Sequence, residues 1–548
     1  MKARRKILGA IIAPLPVLAL AFYAPSASAT PAPRAVLHGD VVSALSHSTR
    51  TGAVAANASI SVAVSLAPRD AAGLDAFLAQ VGNPKSALYK HYLTVAQFAD
   101  RFGASPAAVK QVTDYLTSQG LKVSSVNANR LTVNATGSAA QVAKAFGTSL
   151  ATYHDATTKR DYYANATAPS LPAAVAANVV DVAGLSTYAR SVHYSQPATA
   201  TPNATSKAVT GLTPAKARKA YNLTSEISAG YDGTGETIGL IEFSAYTQSD
   251  VTKYDSNFSL SPSTPTVVKA DGGTTDTSGK DEVELDIEVI QALAPGAAIK
   301  VYEAPNSDAG EVAMYSAIVS ADVPVISISW GTYEAGETSS NRTALDTDFK
   351  QAAAQGESVY AASGDSGSDD AGDGGTSVDF PASDTYVTGT GGTTLSYTSS
   401  TGAYKSESAW SGSGGGISSY FATPSFQSSV NSGSYRDVPD VSAVADPNTG
   451  WAIYEAGSWQ EFGGTSAAAP NWAAFTAIYD DYAANNGGSA LGYANSSIYA
   501  LASSSSYSSA FHDVTSGSNG AYSAATGYDK VTGWGSYNGA NFIAAELG

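Results

Sequence analysis

Short, uninterrupted apolar runs alternate with helical patterns over the second half of this chain, and that alternation limits the folds open to it. The apolar runs lie at residues 237–243, 298–302, 323–329 and 358–362. The helical patterns lie at residues 282–294, 309–320 and 340–355. Strands that are apolar throughout are typical of a parallel sheet with helices on both faces. The sequence therefore predicts an α/β fold with a mostly parallel sheet.

Residues 35–190 have a different texture, in which strand and helix patterns are mixed. The strand patterns lie at residues 58–66, 121–126 and 130–135. The helical patterns lie at residues 70–81, 95–102, 106–119 and 138–146. An alternation of this length favours a small α+β domain of two layers.

The first 29 residues predict an export signal. Four basic residues lie within the first six positions, an apolar run continues to about residue 23, and Ala27-Ser28-Ala29 gives the small-x-small pattern that signal peptidase cuts. No later apolar stretch approaches the ~20 residues that a membrane span needs. We therefore expect a secreted, extracellular product without membrane contact after the signal is removed.

Residues 191–211 are rich in Pro, Thr and Ala and predict an exposed linker that can be cleaved. The linker follows a basic segment, in which residues 31–190 carry 13 Lys and Arg against 8 Asp and no Glu. The whole chain has a formal net charge of −17, which argues against a nucleic-acid partner. The basic segment is thus joined to an acidic remainder of the chain. This difference in charge predicts that the two parts dock electrostatically, and that acid weakens the docking by protonating carboxylates.

A candidate nucleophile lies in residues 463–470, which read GGTSAAAP. The glycine pair lets the backbone approach a substrate closely, and a helix that begins behind Ser466 would place the hydroxyl near its N-terminus. This arrangement suits attack on a carbonyl group, although a Gly/Ser-rich turn before a buried helix has the same letters. The chain has no cysteine, which excludes a cysteine nucleophile and thiolate metal sites.

A serine nucleophile needs a general base, and the acidic part of the chain after the linker has few histidines that could serve. His512 is its one histidine beyond the linker, so a Ser-His-Asp triad would depend on it. Residues 281–288 read DEVELDIE and supply two carboxylate pairs at a spacing of four, Glu282/Asp286 and Glu284/Glu288. Two close carboxylates share a proton and give one acid and one base. Spacing does not choose between the pairs, and a solvated acidic helix start would look the same.

Asp365 lies in the stretch SGDSG, directly after a strand pattern. It is either a turn aspartate or a carboxylic acid that faces the serine. In the protonated form such a group donates a hydrogen bond to an oxyanion.

Together, GGTSAAAP, EVELDIE, SGDSG, RDVPDVSAVADP and the upstream stretch HYLTVAQFADRFGAS make the chain resemble the sedolisin family of serine-carboxyl peptidases. The resemblance covers nearly all of the chain. It implies that Ser466 is the nucleophile, Glu282 the general base, Asp286 the residue that orients the base, and Asp365 the acid that stabilises the oxyanion.

The resemblance also implies the organisation of the chain. We expect a signal peptide over residues 1–29, an inhibitory, ferredoxin-like prodomain of two layers over 30–190, a cleavable linker over 191–211 and a subtilisin-like catalytic domain over 212–548. Glu242 and Trp330 match accessory residues that extend the carboxylate network in some members.

One structural calcium ion is the cofactor that the resemblance implies. Its ligands would be the carboxylates of Asp513 and Asp529 and the main-chain carbonyls of Val514, Ala525 and Gly527, and such oxygen-only sets suit calcium. The family usually has glycine where Ala525 stands.

The sequence thus predicts a secreted, monomeric zymogen that hydrolyses protein or peptide substrates in acid, with its own prodomain as a partner before activation. Two alternatives remain open at this point. One is a serine hydrolase that uses His512, and the other is a secreted module that binds without catalysis.

Overall fold

The structure is a computed structural model that describes residues 33–198 and 209–548. The expected signal peptide and the centre of the expected linker lie outside these ranges. Arg34–Gly548 form one compact unit that includes the N-terminal and C-terminal domains.

The N-terminal domain contains nine strands and five helices within the described residues. Its strands are β1 (Arg34–Val36), β2 (Thr49–Ala53), β3 (Ser59–Leu66), β4 (Lys122–Val126), β5 (Thr132–Ser138), β6 (Leu150–Asp155), β7 (Arg160–Asn165), β8 (Ser170–Pro172) and β9 (Val179–Ala183). Its helices are α1 (Ala71–Val81), α2 (Val95–Arg101), α3 (Pro106–Ser118), α4 (Ala139–Phe146) and α5 (Ala173–Ala176).

The main sheet of this domain is antiparallel, with the strand order β4-β5-β3-β9. Helices α1 to α3 connect β3 to β4, and α4 follows β5, which is the ferredoxin-like succession of strands and helices. Val64 on β3, Val133 on β5 and Phe146 on α4 meet in its buried core. The predicted two-layer α+β prodomain region is confirmed, and β2, β6 and β7 add a small second sheet.

A short segment and a larger domain follow. The strands are β10 (Val192–His193), β11 (Gln196–Pro197), β12 (Thr237–Glu242), β13 (Thr266–Lys269), β14 (Ala298–Glu303), β15 (Val325–Ile328), β16 (Trp330–Tyr333), β17 (Ser358–Ala362), β18 (Asp379–Phe380), β19 (Thr388–Tyr397), β20 (Tyr404–Ala409), β21 (Gly416–Ala422), β22 (Tyr435–Val438), β23 (Val441–Val444), β24 (Trp451–Glu455), β25 (Ser458–Gly463), β26 (Phe511–His512) and β27 (Ser536–Tyr537). The helices are α6 (Pro214–Ala220), α7 (Thr224–Ser228), α8 (Gln248–Phe258), α9 (Lys280–Leu293), α10 (Asp308–Ser320), α11 (Ser339–Gln355), α12 (Thr465–Asn486), α13 (Ala494–Ala502), α14 (Tyr507–Ala510) and α15 (Gly539–Leu547).

The eight-stranded central sheet has the order β13-β14-β12-β15-β17-β19-β20, with β23 also paired to β19. All its pairings are parallel except that of β19 with the edge strand β20. One face packs against α9 and α12, and the other packs against α10 and α11. The prediction of a mostly parallel sheet with helices on both sides is confirmed, and it places the start of α12 and the end of β17 at one end of the sheet.

The two domains meet where β3, β5 and β9 pack against α10 and α11. Buried polar contacts include the Asn129 Nδ2–Gln351 Oε1 bond of 2.9 Å and the Thr132 Oγ1–Ser316 Oγ bond of 2.8 Å. Within the described ranges, two ion pairs cross this interface, and in the Lys350–Asp75 pair the base belongs to the acidic domain. Shared apolar clusters and neutral hydrogen bonds also join the domains, and only the Lys90–Glu546 pair of the two has the polarity that net charge predicts.

The start of the expected linker, residues 191–198, has both exposed and buried side chains, and Val192, Gln196 and Pro197 are exposed. Strand β10 pairs antiparallel with β16, and β11 pairs antiparallel with β25. Tyr194 and Ser195, between these strands, are only 7% and 8% exposed. The backbone is covered because its amide groups complete the edges of catalytic-domain strands, which composition does not reveal.

Across the described residues, no helix combines the length and the apolar character needed to cross a bilayer.

Candidate active site

Helix α9 buries its acidic side chains on both faces. Glu282, Glu284, Asp286 and Glu288 are all fully buried, so the interpretation of this stretch as a solvated helix start is wrong. The helix lies between α12 on one side and α8 and β24 on the other, which leaves no face for solvent. Glu284 and Glu288 accept hydrogen bonds of 2.9 Å from the main-chain N–H groups of residues 247 and 454. The second pair therefore anchors the main chain at the start of α8 and within β24, which the spacing alone could not decide.

The first pair belongs to a buried carboxyl network. The Oγ of Ser329 lies 2.8 Å from Asp286 Oδ2, and Trp330 Nε1 donates a 2.8 Å hydrogen bond to Glu242 Oε2. Burial raises the pKa of Asp286 well above its usual range, and the charges of Glu242 and Glu282 add to the effect. Burial likewise raises the pKa of Glu242, with Glu282 the largest charge acting on it. The network therefore holds protons that isolated carboxyl groups would lose.

Ser466 lies in the first turn of α12 and is fully buried. Its Oγ accepts a 3.0 Å hydrogen bond from the N–H of Tyr194. Gly464, just before the helix, has φ of +105°, and a Cβ there would lie 1.7 Å from the carbonyl oxygen of Tyr194. The glycine thus makes room for a peptide beside the serine, as the motif predicts.

Asp365 follows β17 and reaches the residue before the serine. Its Oδ1 accepts hydrogen bonds of 2.8 Å from both the N–H and the Oγ1 of Thr465. Its Oδ2 accepts a 3.0 Å bond from Gln196 Nε2. Burial raises the pKa of Asp365 to about 8, although the bonds from Thr465 oppose the shift. The carboxyl group is therefore protonated in acid and is available as a donor beside Gly464.

Residues 192–197 occupy the cleft between these groups. The N–H of Ser195 donates a 2.8 Å hydrogen bond to Glu282 Oε2, and His193 Nδ1 lies 3.4 Å from the same oxygen. The His193 ring also lies 5.0 Å from the Trp330 ring, edge to face. Burial lowers the pKa of His193, but the hydrogen bond and charge of Glu282 outweigh this and raise it overall. Sequence reasoning missed these residues, for which the one available signal was their position between two domains.

Both domains match known protein families. Residues 46–188 match the family model of the pro-kumamolisin activation domain, and residues 270–535 match that of the subtilase family. Sedolisin of Pseudomonas sp. (strain 101) is 33% identical over 527 residues, which cover 90% of this chain and 88% of sedolisin. The chain belongs to the sedolisin family.

Two further similarities bear on this assignment. Kumamolisin of Bacillus sp. (strain MN-32) is 38% identical over 372 residues, and the match covers 62% of this chain and 65% of kumamolisin. This chain thus spans less than two thirds of that relative. A solved structure of Pseudomonas sedolisin, a serine-carboxyl proteinase complexed with two molecules of pseudo-iodotyrostatin, matches with a TM-score of 0.54 and 32% identity, covering 62% of this chain and 98% of that one. The sedolisin-like fold is therefore established.

The geometry around His512 does not resemble a catalytic triad. Its ring stacks on Tyr404 at 3.7 Å, and its Nε2 has no hydrogen-bond partner among the described residues. Burial lowers its pKa to about 4. None of the hydrogen bonds described for Ser466 involves a histidine. The contacts of His512 thus favour the carboxylate-based arrangement of the sedolisin family over the alternative that relies on His512.

The predicted calcium ligands lie on one loop. In the described parts of the chain, no group of three or more His, Cys, Asp or Glu side chains is arranged to hold a metal ion. However, Asp513 Oδ1 accepts a 3.1 Å bond from Gly527 N, and Asp529 Oδ2 accepts a 3.0 Å bond from Ala525 N. Two carboxylates and main-chain oxygens form a donor set that suits calcium. Ala525 has no positive φ, so its side chain does not strain the loop.

Proposed function

We propose that the protein is a secreted serine-carboxyl endopeptidase, made as a zymogen and active in acid. One observation carries this proposal. Ser466 Oγ and Glu282 Oε2 accept hydrogen bonds from the N–H groups of consecutive residues, Tyr194 and Ser195. A nucleophile and a proton carrier thus lie along one extended peptide, as peptide hydrolysis requires.

The reaction would begin with attack of Ser466 Oγ on the carbonyl carbon of the bound peptide. Glu282 would take the hydroxyl proton and pass it to the leaving nitrogen, so that an ester forms on the serine as the C–N bond breaks. Asp286 would position Glu282 and share its proton through the buried network. Protonated Asp365 would donate to the oxyanion, and water would then hydrolyse the ester.

The electrostatics support activity in acid. The pKa values of Asp286 and Asp365 are raised chiefly by burial, so both groups keep their protons where ordinary carboxyl groups have lost them. A histidine base would already be charged at such a pH, whereas a carboxylate works there. We expect the prodomain to inhibit until the chain is cut, and protein substrates to follow the same path through the cleft.

We also assign one structural calcium ion to this proposal. The carboxylates of Asp513 and Asp529, with the carbonyls of Val514, Ala525 and Gly527, would hold it. When bound, calcium would tie the ends of this loop together in a chain that has no disulfide. We further expect a monomer that is exported after removal of residues 1–29.

Proteolysis of a denatured protein at pH 3–5 tests the mechanism. Ser466→Ala should abolish cleavage, and Glu282→Gln should lower it by about 10²- to 10⁴-fold, because general-base catalysis is lost. Glu284→Gln is the matched control, since its amide oxygen can still accept the hydrogen bond from residue 247 and activity should be retained. Full activity of Glu282→Gln would contradict the assigned base. If the wild type cuts nothing after acid treatment, the protein is a binding module instead.

A further inference from the structure

The segment that enters the cleft is held as an added β-strand. Val192 pairs with Gly331 on β16, and Gln196 pairs with Gly463 on β25, both antiparallel. Extended peptides commonly bind by adding a strand to an exposed edge, since main-chain hydrogen bonds then hold them and side-chain pockets select them. Residues 194 and 195 lie between the two paired stretches, at the position of the reacting groups.

Within this segment, the residues on both sides of one peptide bond contact the candidate catalytic groups. On the acyl side, Tyr194 lies against Ser466, and its carbonyl oxygen points to the space beside Gly464. That space is also next to Asp365, whose Oδ2 would lie 2.8 Å from a Cβ at Gly464. On the amine side, the nitrogen of Ser195 contacts Glu282. The three groups that hydrolysis uses therefore surround the bond between residues 194 and 195.

The side chain of Tyr194 occupies a pocket with an acid at its base. The Tyr194 hydroxyl donates a hydrogen bond to Asp379 Oδ2. Asp379 is fully buried on β18, and its Oδ1 has no hydrogen-bond partner among the described residues. The pocket depends on Gly331, because a Cβ at that position would lie 2.5 Å from Asp379 Oδ1. The Tyr194 hydroxyl is thus the side-chain donor that this buried carboxyl group has, and the site favours a side chain that brings a donor to Oδ2.

We propose that Tyr194–Ser195 is the bond the protein first cuts in its own chain, and that Asp379 selects tyrosine on the acyl side of this bond and of substrates. The inference rests on the proposed function. In the step, Ser466 Oγ bonds to the carbonyl carbon of Tyr194, the C–N bond to Ser195 breaks, and Glu282 transfers the serine proton to the departing amine. Water then releases Tyr194 as a free carboxyl terminus and restores Ser466.

The pocket at Asp379 should prefer a side chain with an uncharged hydrogen-bond donor. Burial raises the pKa of Asp379 well above its usual range, and the charge of Asp370 adds to the shift. A protonated carboxyl group attracts the phenol of tyrosine but offers no counter-charge to lysine or arginine. Phenylalanine fits the same space yet leaves the buried carboxyl oxygen without a donor, which sites of this kind discriminate against.

The first test maps self-cleavage of the full chain. Wild type, Tyr194→Phe and Tyr163→Phe are incubated at pH 4, and new N-termini are sequenced over time. Tyr163 is the matched control, because its hydroxyl donates to Gly184 O within the prodomain. The expected first N-terminus is Ser195, and Tyr194→Phe should process about tenfold more slowly, while Tyr163→Phe processes normally. A first N-terminus elsewhere, or equal rates for the two variants, would overturn the proposal.

The second test uses the matured enzyme and separates this inference from the proposed function. An eight-residue peptide with the sequence of residues 191–198 is compared with the same peptide carrying Phe for Tyr. The kcat/KM ratio should be about 10 or more for wild type and near 1 for Asp379→Leu. If wild type cuts a denatured protein but does not distinguish the peptides, the selectivity is wrong and the peptidase mechanism stands. If neither peptide nor protein is cut, the proposed function itself fails. Should Asp379→Leu not fold, the wild-type ratio still decides.

Discussion

Asp365 shows at the scale of one residue how burial changes what a side chain can do. Two hydrogen bonds from Thr465 fix the orientation of its carboxyl group. Because burial disfavours the charged form, the proton stays until the pH approaches about 8. The group can therefore donate to an oxyanion over the whole acid range, which a turn aspartate with an ordinary pKa could not do.

The pH profile of peptidase activity should reflect this group. In the proposed mechanism neutral Asp365 is the donor, so its contribution to activity should be complete at low pH and be lost as the pH rises through about 8. Asp365→Asn should keep more activity than Asp365→Ala, because the amide can still donate a hydrogen bond to the oxyanion. The activity of Asp365→Ala should fall by about 10²- to 10³-fold. Measuring kcat/KM against pH for the three proteins tests this. Equal losses of activity in the Asp365→Asn and Asp365→Ala variants would show that hydrogen-bond donation is not the role of Asp365.

How far single residues could be predicted depended on whether their chemistry lies in local sequence. Ser466 and Asp365 stand in short glycine-rich motifs, and the family resemblance chose Glu282 over Glu284. Tyr194 gave no such signal, because its partner Ser466 is 272 positions away and the contact exists only after the strands pair. Asp379 was missed for the same reason, since a lone aspartate near a Phe-Pro sequence resembles any turn residue.

At the scale of elements, the pattern of apolar residues was a good guide where a strand or helix is buried on regular faces. The strands β12, β14, β15 and β17 and the helices α9, α10 and α11 lie within a few residues of their predicted bounds. The pairing of β24 with β25 and the strands β10 and β11 were not predicted. These strand pairings depend on sheet edges that exist only in the folded protein, whereas the periodicity of apolar residues describes one segment at a time.

The loop that contains Gly527 yields a prediction at the same scale. If calcium binds there, a chelator should lower the melting temperature of the inactive Ser466→Ala chain by several degrees, because the ion stabilises only the folded loop. The doubly substituted Asp513→Asn/Asp529→Asn chain should show no further change with chelator. Differential scanning calorimetry with and without added calcium measures both. A Ser466→Ala chain that is indifferent to chelator and calcium would remove the metal from the proposal.

For the whole molecule, the interface between prodomain and catalytic domain contains carboxyl groups with few charges to match. Asp40 and Asp181 of the prodomain approach each other and Ser340 of α11, and Asp308 of α10 lies close enough to act on Asp181. Burial raises the pKa of Asp40 to about 6 and that of Asp181 well above its usual range, with the neighbouring carboxyl groups adding to the effect in Asp181. Where the catalytic domain supplies this burial, docking takes up protons.

The sign of the pH dependence follows from that uptake. A group whose pKa is raised on docking stabilises the docked state. This stabilisation is complete below the ordinary pKa of 3.8 and falls as the pH rises through about 6. The prodomain should thus dock more tightly in acid, the reverse of what net charge predicts. A Ser466→Ala chain with an engineered cleavage site between residues 198 and 209 tests this by size exclusion from pH 4 to 7. Separation at pH 7 but not at pH 4 is expected, and Asp40→Asn/Asp181→Asn should stay docked throughout. Separation in acid alone would contradict it.

The placement of β10 and β11 also has a kinetic consequence. Both strands belong to the same chain as the cleft, so the peptide and the serine meet at a local concentration that the covalent connection sets. Such a reaction is first order, and its half-time does not change when the solution is diluted. The first cut in each molecule would then proceed at the same rate in dilute and in concentrated solution, without help from a second copy.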